Sequence, residues 1–348
     1  MEIVSIEKKN WYADYIVHWK PLNVCNYDCS YCSPENHRSI EVEKLPDINL
    51  LLSVADKIKN SIPEGKTLHV NITGGEPFLI PNFNLLLDRL DKHGFLVTVF
   101  TNGSMPLRLY EQCFPALKNM IVFVSFHPES ADVNKIVTLV TSLRDNGGGV
   151  EIRGMMASTL FDKVNDMYSK LNEESITVNR LRVYPLVNVT ENKINPPFSS
   201  SRDLEDYIQY GDLDIDYYTQ EEKEQISALK PVRSMIVPDN IQQLSEDNYF
   251  KLSYKFKSGD KILDTDSNVI DINSLNQNRF KGWHCALRSK KIAIFANGDT
   301  QYGICGNEGK LGNIFEDELL VFDNLITVCK KDYCGTPDEI MISKWRPE

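Results

Sequence analysis

In the first half of the chain, short apolar runs alternate with stretches in which apolar residues recur every third or fourth position. The runs at 15–22, 68–73, 95–100, 121–126, 150–156 and 178–186 have the length and composition of strands. Between them, Ile48, Leu51, Leu52, Ala55 and Ile58 share one helical face behind an N-cap at Asp47. Phe83, Leu86, Leu87 and Leu90 mark a second helix, stopped by Gly94. Val133, Ile136, Val137, Val140 and Leu143 mark another, closed by Gly147, Gly148 and Gly149, and one more is expected around 164–171. Strand–helix repeats with short connections predict a parallel sheet, because parallel neighbours need crossovers. Six units are too few to close an eight-fold barrel, so the expected fold class is α/β, a partial (β/α)6 barrel over residues 1–197.

Ligands in such folds sit at the C-terminal ends of the strands. There the chain places Thr73-Gly-Gly-Glu-Pro77, Thr101-Asn-Gly103 and Ser125-Phe-His-Pro128. After Pro197 the pattern loosens. Residues 198–280 read as a polar segment that links and shapes a substrate pocket, with a helix near 221–229 and a hairpin through 255–262. From 281 to 348 the chain reads as a compact cysteine-rich unit with a hairpin turning at Asn297-Gly298-Asp299.

Composition narrows the function. The 348 residues are 42% hydrophobic and carry a net charge of −11. Residues 195–280 hold 16 acidic against 9 basic side chains, which reads as a solvated face. No basic stripe suits nucleic acid, no apolar stretch suits a membrane span, and the N-terminus lacks a signal-peptide pattern. A cytoplasmic protein is expected, and there eight cysteines point to metal sites rather than disulfides.

Seven of them form two groups: Cys25, Cys29 and Cys32 near one end, and Cys285, Cys305, Cys329 and Cys334 near the other. Cys113 stands alone in a helical region and reads as a small buried hydrophobe. Zinc could use the first triad with His37 as a fourth ligand. An iron–sulfur cluster needs only these three thiolates if a ligand fills the fourth iron position.

The run Cys25-Asn-Tyr-Asp-Cys29-Ser-Tyr-Cys32, followed by Thr73-Gly74-Gly75-Glu76-Pro77, resembles the radical S-adenosylmethionine (SAM) superfamily over roughly residues 12–190. The resemblance implies a [4Fe–4S] cluster on Cys25, Cys29 and Cys32, with SAM on the fourth iron. Reductive cleavage of SAM would give a 5′-deoxyadenosyl radical that abstracts hydrogen from substrate. Cofactor contacts are expected at Thr73, Gly74, Gly75 and Glu76, the last through its side chain or the adjacent backbone, receiving the methionine ammonium. Tyr31 would lie against adenine and Ser125 at the ribose. Asn102 would contact SAM or simply shape its turn, and Arg153 would pair with the SAM carboxylate or sit in a salt bridge. His18 and His127 lie near the mouth and are assigned no catalytic role.

The C-terminal cysteines, with their turn glycine and Leu311-Gly-Asn-Ile-Phe315, resemble the SPASM/Twitch extension of that superfamily. Four cysteines imply one fully ligated auxiliary [4Fe–4S] cluster for electron transfer, although the same four thiolates would serve zinc. The resemblance further implies a flavodoxin- or ferredoxin-type electron donor. The substrate would be a peptide to be oxidised, cross-linked or epimerised, or a small sugar-like metabolite to be dehydrogenated. Only 14 residues precede the first expected strand, which weighs against a fused leader-binding domain. A molybdopterin-precursor-type cyclase and a non-enzymatic iron–sulfur or zinc sensor are the alternatives.

Overall fold

The computed structural model describes residues 2–8, 11–29, 31–32, 45–176, 178–182, 186–188, 193–194, 207–209, 218–228, 236–237, 251–258, 261–268, 278–316, 320–332, 334 and 337–347. His37 and most of the 198–280 segment lie outside them. After a first strand β1 (Glu2–Glu7), the expected alternation is present as β2 (Tyr15–Leu22), α1 (Ile48–Ser61), β3 (Leu68–Gly74), α2 (Phe83–Lys92) and β4 (Leu96–Thr101). It continues as α3 (Leu107–Glu111), β5 (Met120–Phe126), α4 (Val133–Asp145), β6 (Gly149–Met156), α5 (Phe161–Glu173) and β7 (Val178–Arg182). Strands β2 to β7 pair in chain order, all parallel. The α/β class read from the sequence is the class the structure has.

Local chemistry sets the boundaries. Asp47 accepts from the Asn49 amide at the start of α1, and Asp132 accepts from Lys135 at the start of α4. One face of the sheet, through Val70, Ile72, Val97, Val99, Val122 and Val124, packs against Leu51, Val54, Leu86, Leu90, Ile136 and Val140 of the helices. Each such side chain stabilises the fold by about 1.5–3 kcal/mol when fully buried. Cys113 is buried in this core, as expected of a small hydrophobe.

Two pairings were not anticipated. Strand β1 precedes the first expected strand and pairs antiparallel with Lys251–Ser258 and with Lys344–Trp345. The C-terminal hairpin also joins the main sheet: Lys291–Ile294 runs parallel to β2, followed by Asp299–Tyr302 and Lys310–Asn313. Among the described residues the sheet therefore has nine strands.

A second sheet runs in the order Lys261–Asn268, Lys251–Ser258, β1, Lys344–Trp345, His284–Cys285, Thr327–Val328. Its neighbourhood covers the inner face of the barrel. Ile16, Leu96 and Ile121, near the starts of β2, β4 and β5, cluster with Ile3, Ile6, Phe280, Trp283, Ile340 and Met341. The N-terminal ends of the strands are thus plugged, and the plug reaches Phe123 and packs against Phe100 further along the sheet. Among the described residues no helix is long and apolar enough to cross a membrane.

Candidate functional site

The cysteine loop leaves β2 and is joined to the end of β3. Gly75 N donates to Leu22 O (3.2 Å) and Glu76 N to Val24 O (2.9 Å). A Cβ on Gly74 would lie 2.2 Å from Leu22 O, and one on Gly75 would lie 1.9 Å from Val24 O. Gly74 also has φ +118°, which disfavours any side chain. The two glycines are dictated by the close passage of the segment that delivers Cys25.

Glu76 turns inward. Its fully buried carboxylate accepts from Phe78 N (3.0 Å), Thr101 Oγ1 (2.8 Å) and Asn102 N (2.7 Å). Burial pushes its pKa up to about 7 against the pull of those donors. Asn102 in turn donates from Nδ2 to Asn26 Oδ1 (3.0 Å) and to Cys25 Sγ (3.5 Å). The two strand-end turns and the cysteine loop form one hydrogen-bonded unit. Of the two acceptors expected for a ligand ammonium, the Glu76 side chain is committed to the protein and the adjacent backbone remains.

Cys32 N donates to Cys29 O (3.0 Å), so the last two cysteines sit on a tight turn. Burial raises the Cys25 thiol to about 11 and the Cys29 thiol to about 12. A metal bound there must displace protons from both. Tyr31 is buried beside them, its hydroxyl 3.0 Å from His127 Nδ1 and its ring stacked on the imidazole at 5.9 Å. Thr73, near the end of β3, and Ser125, near the end of β5, are half-buried. Arg153 lies opposite Ser125 in the β5–β6 register. Its Nε donates to Glu151 Oε1 (2.6 Å) and its guanidinium lies 4.2 Å from the Phe123 ring centroid. Arg153 thus sits in a salt bridge with Glu151.

The inner sheet face also carries residues that the sequence did not single out. Among the described residues, Asn71 Oδ1 on β3 and Glu151 Oε2 on β6 are buried acceptors with no hydrogen-bond partner. Polar residues at inward positions of apolar strands were the available signal.

The second cysteine group converges. Cys285, Cys305, Cys329 and Cys334 line one cavity, together with Glu339 and Lys344. Short strands and turns hold them: Cys285 pairs with Thr327 and Lys344, Cys329 N donates to Trp283 O (2.8 Å), and Cys334 N to Asn278 O (2.9 Å). Glu339 Oε1 accepts from the amides of Ile304 and Cys305 and lies 3.5 Å from Lys291 Nζ, which also binds Asp338 at 2.5 Å. Burial raises the Cys305 thiol to about 12 and the thiols of Cys285 and Cys334 as well. Burial lowers the Lys344 pKa, and the neighbouring Cys285, Cys334 and Glu339 reverse this to a net rise. Among the described residues no three Cys, His, Asp or Glu side chains converge on a single ion position.

The profile of the radical SAM superfamily matches residues 19–155, the stretch that carries the cysteine loop and the strand-end turns. The chain is 34% identical over 116 residues to 7-carboxy-7-deazaguanine synthase of Rickettsia prowazekii, covering 32% of this chain and 47% of that one. It is 23% identical over 207 residues to the S-adenosylmethionine-dependent nucleotide dehydratase of Psychrobacter lutiphocae, covering 56% and 60%. This chain therefore spans only part of each of these relatives. In fold it is similar to SuiB of Streptococcus suis bound to S-adenosylmethionine, with TM-score 0.50, 14% identity, and 89% and 65% coverage. SuiB bound to its precursor peptide SuiA gives the same TM-score at 13% identity, covering 89% and 64%.

Proposed function

We propose that this chain is a radical SAM enzyme in which Cys25, Cys29 and Cys32 hold a [4Fe–4S] cluster and the C-terminal thiols hold an auxiliary one. The observation that carries the reading is the bonding of the cysteine loop to both strand-end turns through Gly75, Glu76 and Asn102. It delivers three soft ligands and the expected SAM contacts to the same end of one sheet. The chemistry that a cluster and SAM supply when bound is one-electron cleavage of the sulfonium, followed by hydrogen abstraction from substrate.

The chain's own residues position and exclude. The backbone of the Gly74–Glu76 turn receives the methionine ammonium, Ser125 the ribose, and Tyr31, held by His127, supports the adenine. Asn102 donates to the Cys25 sulfur and fixes the loop. The plugged strand starts keep water from the inner face.

Four thiols around one cavity suit an iron–sulfur cluster, in which each thiolate binds its own iron. Full ligation by protein assigns the auxiliary site to electron transfer with the substrate radical or an external flavodoxin- or ferredoxin-type donor.

The substrate is proposed to be a small polar molecule; both curated relatives are named for deazaguanine or nucleotide chemistry. The SuiB–SuiA complex favours a second reading, a peptide substrate. Anaerobic reconstitution, reduction with dithionite and assay of 5′-deoxyadenosine test the core reading. About eight irons per chain with deoxyadenosine supports it, whereas zinc without deoxyadenosine refutes it.

A further inference from the structure

We propose that Lys344 is a fixed positive charge built into the four-thiol cavity, a positioning residue that raises the reduction potential of the cluster held there. The inference rests on reading those thiols as cluster ligands. Lys344 is directly opposite Cys285 across paired strands and lines the cavity with all four cysteines. It is 2% exposed, so solvent screens its charge weakly.

Its ammonium is immobilised. Nζ donates to the carbonyls of Glu339, Ile342 (3.0 Å) and Ile340 (3.4 Å), which uses all three of its protons. None of these acceptors carries a full charge, so the ammonium is satisfied without being neutralised. The nearby Glu339 carboxylate is engaged elsewhere, by the Ile304 and Cys305 amides and by Lys291. Lys291 in turn is bound to Asp338. Reduction adds an electron to a cluster that is already anionic, and a buried cation beside two of its ligands favours that product.

The test uses the full chain carrying C25A, C29A and C32A, reconstituted anaerobically so that only the C-terminal site loads. A redox titration followed by electron paramagnetic resonance reads its midpoint potential. K344Q, which keeps two donors but loses the charge, is expected to retain iron and shift the midpoint negative. The reduced-to-oxidised ratio at the parent midpoint should fall at least tenfold, about 59 mV for one electron. K344R should restore the parent value. An unchanged midpoint in K344Q with iron retained overturns the proposal. Iron lost from K344Q but kept in K344R supports a requirement for the charge, and loss from both overturns it. A parent chain that binds zinc, or no metal, overturns the cluster reading and this inference with it.

Discussion

Asn102 and Glu76 face each other across two strand-end turns: the Asn102 amide donates to the buried Glu76 carboxylate at 2.7 Å, while the Asn102 side chain reaches the Cys25 sulfur. Glu76 is the hub, because three buried donors end on it. E76A strands all three, at about 1–3 kcal/mol each. Urea unfolding of the metal-free chain should show a loss of at least ~3 kcal/mol. An intact stability in E76A would mean that the turns are held some other way.

Gly75 gives a sharper contrast. G75A places a methyl group 1.9 Å from Val24 O, so the cysteine loop must leave the β3 turn. G147A has φ +78° but meets nothing within 4 Å, and should cost only about 1 kcal/mol of backbone strain. G75A should lose most of its triad-bound iron and melt well below G147A. Equal iron contents in the two variants would contradict the close-passage argument.

The two thiol sites should separate by chemistry. C25A, C29A or C32A should abolish 5′-deoxyadenosine formation. The pair C285A and C305A should leave cleavage uncoupled while stopping product formation. Full turnover in that pair would remove the auxiliary site from the reaction.

Acid should destabilise the metal-free chain in a defined window. Burial lowers the pKa of His127 to about 4 and that of His69 to about 3, and burial with the Lys291 charge lowers that of His18. These groups stay neutral when folded but take up protons near pH 6.5 when unfolded. Their contribution is present above about pH 6.5 and is lost as the pH falls toward 4. H127N should remove about one proton from that dependence, or ~1.4 kcal/mol per pH unit, in unfolding curves between pH 6 and 4.5.

The parts written locally were legible. The Cys25–Cys32 spacing, the Gly-Gly-Glu-Pro turn and the β2–β7 alternation each occupy a short window in which side-chain type fixes backbone and chemistry. The pairings of β1 with Lys251–Ser258 and of Lys291–Ile294 with β2 were not, because they join segments roughly 250–275 residues apart. No local pattern encodes such a partner. Glu76 was recognised as part of a motif, but its inward turn depends on donors supplied by Thr101 and Asn102. Lys344 carries no signal of its own in the sequence; its cross-strand partner Cys285 shows that it is interior.

The parallel seam between Lys291–Ile294 and β2 has an architectural consequence. The strand that delivers the first thiols is shielded on that flank by the strand lying between Cys285 and Cys305. Truncating the chain before 281 would bare a row of peptide groups beside the reactive loop and invite edge-to-edge association. Barrel and tail are therefore not interchangeable modules, and any graft of one onto another host must carry a replacement for that seam.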